Sequence, residues 1–389
     1  LKPLLNVLPS PYHAMPFQLD LFKWMSSYYH VALGRLISSC IPLSTLGKST
    51  QDAYYGFYQC VDVNEHKLTA QQNACWQWLQ KQVMPCSYHD LLQAPFKITT
   101  IHALIDRNLL VKAEVIPQPI ELSSQQQQAY EQIKSSTLCT LLFGVTGSGK
   151  TQIYLRLIKD TIQQGNQALL LVPEIGLTPQ TLAKAVNHLG TGVVSWHSRL
   201  SAPQRSKIWE LVASGDAKVI IGTRSALFLP FKSLQQIIID EEHDLSFYQQ
   251  SHPTFSARDI AVVLAQKLEA SILLGSATPS LESWKNANDN RYQIVKLDQA
   301  FHEHAHHWEV VDLRKQHLTG GIAKVILDRV RRVMESGQQV LFFLNRRGYN
   351  PVTLCHGCGA TVKCRSCDVK LNYSKTMNRM RCHLCDATY

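Results

Sequence analysis

From Thr137 to Gly275 the chain alternates short aliphatic runs with longer stretches whose apolar positions recur every three or four residues. The runs are TLLFG, QALLLVP, GVVSW, AKVIIG, QQIIID and ASILLG, and helical stretches separate most of them. Apolar runs this continuous have no wet face. Joined through helices, they predict a parallel sheet covered on both sides, because a parallel crossover is long and usually helical. Upstream the pattern changes. FQLDLFKWMSSYYHVALGRLISSC keeps helical spacing until Pro42 stops it, as one helix or two short ones. Residues 70–112 predict a second small unit, made of QQNACWQWLQKQV, a short capped helix in SYHDLLQA, and ITTIHALIDRNLLVKAEV. Three short helices leading into an extended basic segment resemble a winged-helix arrangement, which binds nucleic acid or only packs. VIPQPIELSSQQQQ, with Pro117 and Pro119 ahead of a glutamine run, reads as a linker, and no internal repeat is found.

Composition adds compartment and partners to this picture. With 389 residues, 45% hydrophobic and 17% charged, the chain can hold several domains with cores of their own. Its longest apolar runs, such as VLFFL ending at Leu344, fall far short of the roughly 20 residues of a membrane helix. The opening LKPLLNVLPSP has neither an initiator Met nor a signal pattern, so a cytoplasmic protein cut at its start is expected, with no membrane partner. The formal charge of +10 is uneven: residues 312–389 hold 14 Lys/Arg against 5 Asp/Glu, and residues 1–311 hold 25 against 24. A basic C-terminal part favours a polyanion, although thiolate metal sites would subtract charge from it.

Six of the 11 cysteines fall in three Cys-x-x-Cys pairs, Cys355/Cys358, Cys364/Cys367 and Cys382/Cys385. This spacing fits zinc in a reducing compartment. A closed thiolate site takes four sulfurs, so one pair is left over. Either the spare pair is free, or His356 or His383 substitutes, or a fourth pair lies beyond Tyr389. The histidines of FHEHAHHWEV, His302, His304, His306 and His307, have no partner motif beside them and read as a polar connection.

GVTGSGKT comprises Gly144, Val145, Thr146, Gly147, Ser148, Gly149, Lys150 and Thr151, set between the strand TLLF and a helix. The glycines let backbone N–H groups curl around phosphate, Lys150 reaches the outer phosphates, and the Thr151 hydroxyl suits magnesium. After QQIIID comes the acidic box of Asp240, Glu241, Glu242 and His243, closed by Asp244. There Asp240 would hold magnesium and Glu241 would polarise the attacking water. Together the two motifs indicate a magnesium-dependent NTPase.

LVPEIGLTPQT, IGTRSALF and LLGSATPS each follow a separate strand and end on the same edge of the sheet. In this order, with the acidic box, the set resembles a superfamily 2 helicase. That resemblance implies nucleic-acid contacts for Thr178, Arg224 and Ser225, coupling roles for Ser276 and Thr278, and adenine reading by Gln126. Taken singly, each also has a structural reading as a cap, an ion pair or a turn. VTGSGKT, VPEIGLTPQT, IGTRSALF, IIDEEHD, LGSATPSLE and FLNRRGYNPVTLCHGCG, followed by the cysteine pairs, are similar to the primosomal protein N′ (PriA) family of replication-restart helicases. The similarity is strong over about residues 120–389 and weaker over 1–119.

Membership of that family would imply an α/β fold: a RecA-like parallel-sheet lobe, an N-terminal winged-helix-like domain and a C-terminal cysteine zinc segment. Its expected parts are the end of a DNA-binding domain (1–48), the winged-helix-like domain (49–115), helicase lobe 1 (116–311), the start of lobe 2 (312–350) and the zinc segment (351–389). The implied activity is ATP-driven 3′-to-5′ unwinding at stalled forks and primosome assembly. Forked and single-stranded DNA, single-strand-binding protein, other primosome proteins and the replicative helicase loader are the implied partners. Zn2+ joins ATP and Mg2+ as a cofactor, with Cys364, Cys367, Cys382 and Cys385 as one complete site and Cys355 and Cys358 awaiting a pair beyond Tyr389. Phe247, Tyr248 and Phe255 stand where the family has an aromatic-rich loop, here without its tryptophan. Competing readings are another superfamily 2 translocase, such as an RNA helicase or restriction-type motor, and a zinc scaffold that docks partners. The zinc segment argues against the first, and an intact Lys150, Asp240 and Glu241 against the second.

Overall fold

Residue by residue, the aliphatic runs send their side chains alternately to two cores, and this decides the architecture. The computed structural model describes residues 15–41, 57–60, 68–82, 86–87, 91, 94–112, 117–136, 139–190, 192–298, 309–312, 318–319, 322–342, 360–367, 369–374, 377–382 and 385–389. The chain divides into two compact units, Leu1–His302 and Glu303–Tyr389.

The helical opening run forms two helices, α1 (Pro16–Tyr28) and α2 (Leu33–Cys40). Next come β1 (Phe57–Cys60), α3 (Ala70–Leu79), β2 (Cys86–Ser87), α4 (Ile98–Asp106) and β3 (Leu110–Lys112). The three strands form an antiparallel sheet in the order β2-β1-β3. Tyr58, Trp76, Leu79, Ile101, Leu104 and Leu110 give this part a core of its own. The short helix predicted in SYHDLLQA lies mostly outside the described residues.

From α5 (Ser124–Lys134) onwards strands and helices alternate: β4 (Cys139–Gly144), α6 (Lys150–Gln163), β5 (Gln167–Leu171), α7 (Pro179–Leu189), β6 (Val193–Trp196), α8 (Ala202–Ser214), β7 (Val219–Gly222) and β8 (Leu234–Asp240). The hairpin β9 (Tyr248–Gln249) and β10 (Phe255–Ser256) leads into α9 (Ala257–Leu268), β11 (Ser271–Ser276), α10 (Leu281–Asn288) and β12 (Tyr292–Leu297). Seven strands form one parallel sheet in the order β12-β4-β11-β8-β5-β7-β6. In β8, Ile237 and Ile239 enter one core while Ile238 enters the other. Leu141 and Leu142 of β4, and Leu274 and Leu273 of β11, divide in the same way. Burial on both faces is why these runs carry no polar alternation.

Helices α5, α6 and α7 cover one face through Tyr130, Ile153, Ile158, Leu182 and Val186. Helices α8 and α9 cover the other through Trp209, Val212, Ile260 and Leu264. The opening helices join this second layer: Leu21, Phe22, Met25 and Leu36 share its core, and Phe22 stacks on Phe228 at 5.6 Å between ring centroids. The buried Gln18 side chain donates to the Phe228 carbonyl at 2.8 Å, which satisfies an amide that would otherwise be costly there.

In the second unit the described elements are the hairpin β13 (Leu318–Thr319) and β14 (Ile322–Ala323), α11 (Lys324–Glu335), and the hairpin β15 (Asn372–Ser374) and β16 (Arg379–Arg381). Cys355, Cys358, His356, His383 and the four histidines of FHEHAHHWEV lie outside the described residues. Among the described residues, no helix is long and apolar enough to cross a membrane.

Candidate nucleotide site and candidate metal centre

Strand β4 ends at Gly144 and α6 starts at Lys150, so the glycine-rich run has to turn a strand into a helix within five residues. Gly147 and Gly149 make the turn in the left-handed region, at φ 79° and 78°, where a side chain would be strained. Gly144 is needed for another reason: a Cβ there would stand 2.7 Å from Ser148 Oγ. That Oγ is buried without a hydrogen-bond partner in the protein, and a buried hydroxyl in this state calls for a ligand. Lys150 is buried and its ammonium donates to the Gly144 carbonyl at 2.9 Å. Glycine turn, orphaned hydroxyl and lysine fit a bound phosphate chain.

Gln126 sits above the same loop. Ser123 caps α5, its Oγ accepting from the Gln126 N–H at 3.3 Å while Gln126 Oε1 accepts from the Ser123 N–H at 2.9 Å. Its amide nitrogen then reaches the Ser148 carbonyl at 3.1 Å. The capping box and this contact tie Gln126 to the backbone of the loop.

Strand β11 lies between β4 and β8 and brings the acidic box beside the phosphate loop, with Gly275 opposite Asp240 and Ser276 opposite Phe143. Burial raises the Asp240 carboxyl above its ordinary pKa, the Glu241 charge adds to this, and the Tyr154 hydroxyl and Lys150 oppose it. Glu241 turns the chain at φ 49°, an uncommon conformation for a residue with a side chain. This separates the directions of two successive acids.

Glu242 and His243 face the strand that follows. The Glu242 side chain is wholly buried and accepts from Ser280 N–H at 2.7 Å, Ser280 Oγ at 3.0 Å, Ser283 Oγ at 2.9 Å and Arg258 at 3.1 Å. His243 Nδ1 lies 2.8 Å from Ser276 Oγ, which also accepts from the Thr278 N–H at 2.9 Å. Box and LGSATPS motif are thus joined through two separate networks. Sequence reasoning singled out Ser276 and Thr278 but passed over Arg258, Ser280, Ser283 and Tyr154. The only local signal for Arg258 is a basic residue opening a helix directly after the aromatic loop.

The other expected contact residues occupy more ordinary places. Thr178 caps α7, its Oγ1 accepting from the Thr181 N–H at 3.2 Å. Ser225 Oγ accepts from the Trp196 indole at 3.1 Å. Arg224 donates to the carbonyls of Ser246 and Tyr248, both at 3.2 Å, and lies 5.9 Å from the centre of the Phe255 ring. Phe247 and Phe255 are core residues, whereas Tyr248 is exposed. The structure therefore gathers Lys150, Thr151, Asp240, Glu241, His243, Ser276 and Gln126 at one sheet edge, and ties Arg224 to the aromatic loop.

In the second unit the sulfur atoms of Cys364, Cys367, Cys382 and Cys385 all lie within 4.8 Å of one another. Cys364 and Cys385 are 3.7 Å apart, close to the ~3.8 Å edge of a tetrahedron with metal–sulfur bonds of about 2.3 Å. Each Cys-x-x-Cys turn is closed by backbone bonds, from Cys364 N–H to the Val369 carbonyl at 2.8 Å and from Cys382 N–H to the Ala387 carbonyl at 2.9 Å. Burial works to raise the Cys364 pKa, but hydrogen bonds from Tyr389 and from the Ser366 and Cys367 amides outweigh it and bring the thiol down to about 6. Four sulfurs at this spacing could hold a metal ion.

Known proteins resemble this chain in sequence. Residues 123–287 match the DEAD/DEAH box helicase family, which implies use of a nucleotide and Mg2+. The replication restart protein PriA of Haemophilus influenzae is 36% identical over 414 aligned positions, covering 100% of this chain and 56% of the relative. That of Chlamydia pneumoniae is 34% identical, covering 95% of this chain and 54% of the relative. The chain spans just over half the length of these relatives. Among solved structures, RecG bound to a three-way DNA junction overlays with a TM-score of 0.39 at 20% identity, covering 69% of this chain and 33% of that one, a likeness too distant to carry weight. With its motifs in this order on one sheet edge, and relatives of one name along nearly its whole length, the chain belongs to the replication restart protein PriA family of superfamily 2 helicases.

Proposed function

We propose that this chain carries the ATP-binding lobe of a DNA helicase that unwinds 3′ to 5′ at stalled replication forks and starts primosome assembly. The observation that carries this reading is the meeting of the Lys150–Thr151 loop and the Asp240–Glu241 box across β11, with His243 bonded to Ser276. In it, backbone N–H groups of residues 145–149 and the Ser148 hydroxyl hold phosphate oxygens, and Lys150 swings from the Gly144 carbonyl to the outer phosphates. Thr151 and Asp240 are the residues to hold magnesium, which when bound would neutralise charge on the phosphates. Glu241 takes the proton of the attacking water. Gln126, tied to the loop backbone, relates adenine contact to the phosphate cradle. Ser276 and Thr278, through His243, report hydrolysis to the DNA-facing edge, where Thr178, Arg224, Ser225, Phe247 and Tyr248 are the proposed contact and coupling residues. Cys364, Cys367, Cys382 and Cys385 are proposed to hold one zinc ion, and Cys355 and Cys358 to serve a second. Forked and single-stranded DNA, single-strand-binding protein, primosome proteins and the replicative helicase loader are the proposed partners.

Two substitutions test the ATP site. Lys150→Ala should weaken binding of a labelled ATP analogue about 10- to 100-fold, the worth of one hydrogen bond to a charged group. Glu241→Gln in the full-length protein should leave that binding near wild type and lower turnover about 10²- to 10⁴-fold. Wild-type affinity in the first, or wild-type turnover in the second, removes the assigned role. DNA binding should fall steeply between low and physiological salt, because phosphate contacts release counterions, and a flat response would contradict it.

A further inference from the structure

Tyr154 is fully buried in α6 between Ile153 and Leu155, where a phenylalanine ring would fill the same space with no hydroxyl to satisfy. A buried hydroxyl without a partner is costly, so its partner is informative. Here the hydroxyl donates to Asp240 Oδ1 at 3.0 Å. The neighbouring strand makes room for it: a Cβ on Gly275 would stand 1.7 Å from the Tyr154 hydroxyl oxygen and 2.8 Å from Cζ of its ring. Ring, glycine and carboxylate come from three elements and agree on one contact.

The same Asp240 oxygen accepts from the Glu241 N–H at 3.1 Å, and no hydrogen bond reaches Oδ2 among the described residues. The terminal torsion of an aspartate is broad and two-fold, so a free carboxylate samples many rotations. Two donors on one oxygen hold it in one of them and leave the other oxygen unengaged. Tyr154 also follows Thr151 by three residues, which puts the two on neighbouring positions of one helix face. We infer that Tyr154 is a positioning residue of the ATP site: its hydroxyl locks the Asp240 carboxylate so that Oδ2 stays available to magnesium, and one helical turn thereby sets both Thr151 and Asp240. Gly275 is the clearance that permits this contact. The inference rests on the ATP-site reading above.

The test is a magnesium titration of the 389-residue chain with a fluorescent, non-hydrolysable ATP analogue, with thermal melting run alongside. Tyr154→Phe should bind the analogue as wild type does in EDTA, yet require about tenfold more magnesium for half-saturation, the usual scale for loss of an outer-shell partner. Its melting should not show a matching loss. Gly275→Ala, which keeps the hydroxyl but displaces the ring, should shift the magnesium dependence in the same direction. A folded Tyr154→Phe variant with the wild-type magnesium half-point overturns the inference and leaves the ATP site standing. Equal weakening with and without magnesium marks a purely structural role and overturns it as well. Failure of the wild-type chain to bind the analogue with magnesium present overturns the ATP-site reading, and the inference with it.

Discussion

Glu242 is set apart from its neighbours in the acidic box by its surroundings rather than its chemistry. Its carboxylate is wholly buried, with one cation and three other donors around it. A buried carboxylate is tolerated only with partners of this kind around it, and removing its cation breaks a buried ion pair. Arg258 is itself only 15% exposed and also meets Asp259 at 3.3 Å and Glu282 at 3.7 Å, so its loss would leave three acids without their shared partner. Arg258→Met should therefore destabilise the fold by about 3–5 kcal/mol, read by urea unfolding. Adding Glu242→Gln should return part of that loss, because the stranded charge goes with it. A double-mutant cycle in which the two effects simply add would show that the pair does not interact. Since Arg258 opens α9 directly after the aromatic loop, the same contact fixes the end of that loop to the box and to Ser280.

At the scale of elements, one tight joint is where β7 hands over to the Thr223–Arg224–Ser225 turn. A Cβ on Gly222 would stand 2.6 Å from Ala226 Cβ and 2.8 Å from the Trp196 carbonyl oxygen, so neither a side-chain rotation nor a local breath makes room. Gly222→Ala should force β6 and the turn apart at a cost of about 1–3 kcal/mol, measured by urea unfolding. It should also loosen Arg224 from the Ser246 and Tyr248 carbonyls. An unaltered unfolding midpoint would mean that this joint is softer than its packing implies. Elements of this kind differ in how far they can be read from sequence. The six aliphatic runs became six strands because double-sided burial writes itself into a continuous apolar run, and the phosphate loop and acidic box are legible because their chemistry fixes spacing. Strand β12 was missed: it lies at the sheet edge, and Gln293 and Lys296 interrupt its apolar pattern. The helical period of α1 was plain, but its partner was not. Packing against Phe228 is a contact across 206 residues that no local pattern records. Tyr154, which meets Asp240 from 86 positions away, was hidden for the same reason.

At the scale of the whole molecule, the two units differ in what holds them together. Among the described residues, Leu1–His302 holds three apolar cores, two of them on the faces of the sheet. In Glu303–Tyr389 the described core is Cys364, Leu371 and Cys382, with Cys367, Val369, Met380 and Ala387 packed against it. So small an apolar cluster cannot offset the conformational entropy of the chain it orders, and proteins of this kind are usually stabilised by a metal. Where cysteines are the core, binding energy is folding energy. The zinc proposed on Cys364, Cys367, Cys382 and Cys385 should thus be retained through dialysis against a mild chelator. Strong chelation should unfold residues 360–389 while analogue binding at the Lys150 loop persists. Cys364→Ser should release the same ion without strong chelation, since a site with three thiolates is open. Metal analysis, amide exchange and analogue binding on one sample separate the outcomes. Unchanged protection of 360–389 after complete metal loss would mean that the hairpin of Asn372–Ser374 and Arg379–Arg381 stands without the ion. Loss of analogue binding together with the metal would mean that the phosphate loop depends on this centre.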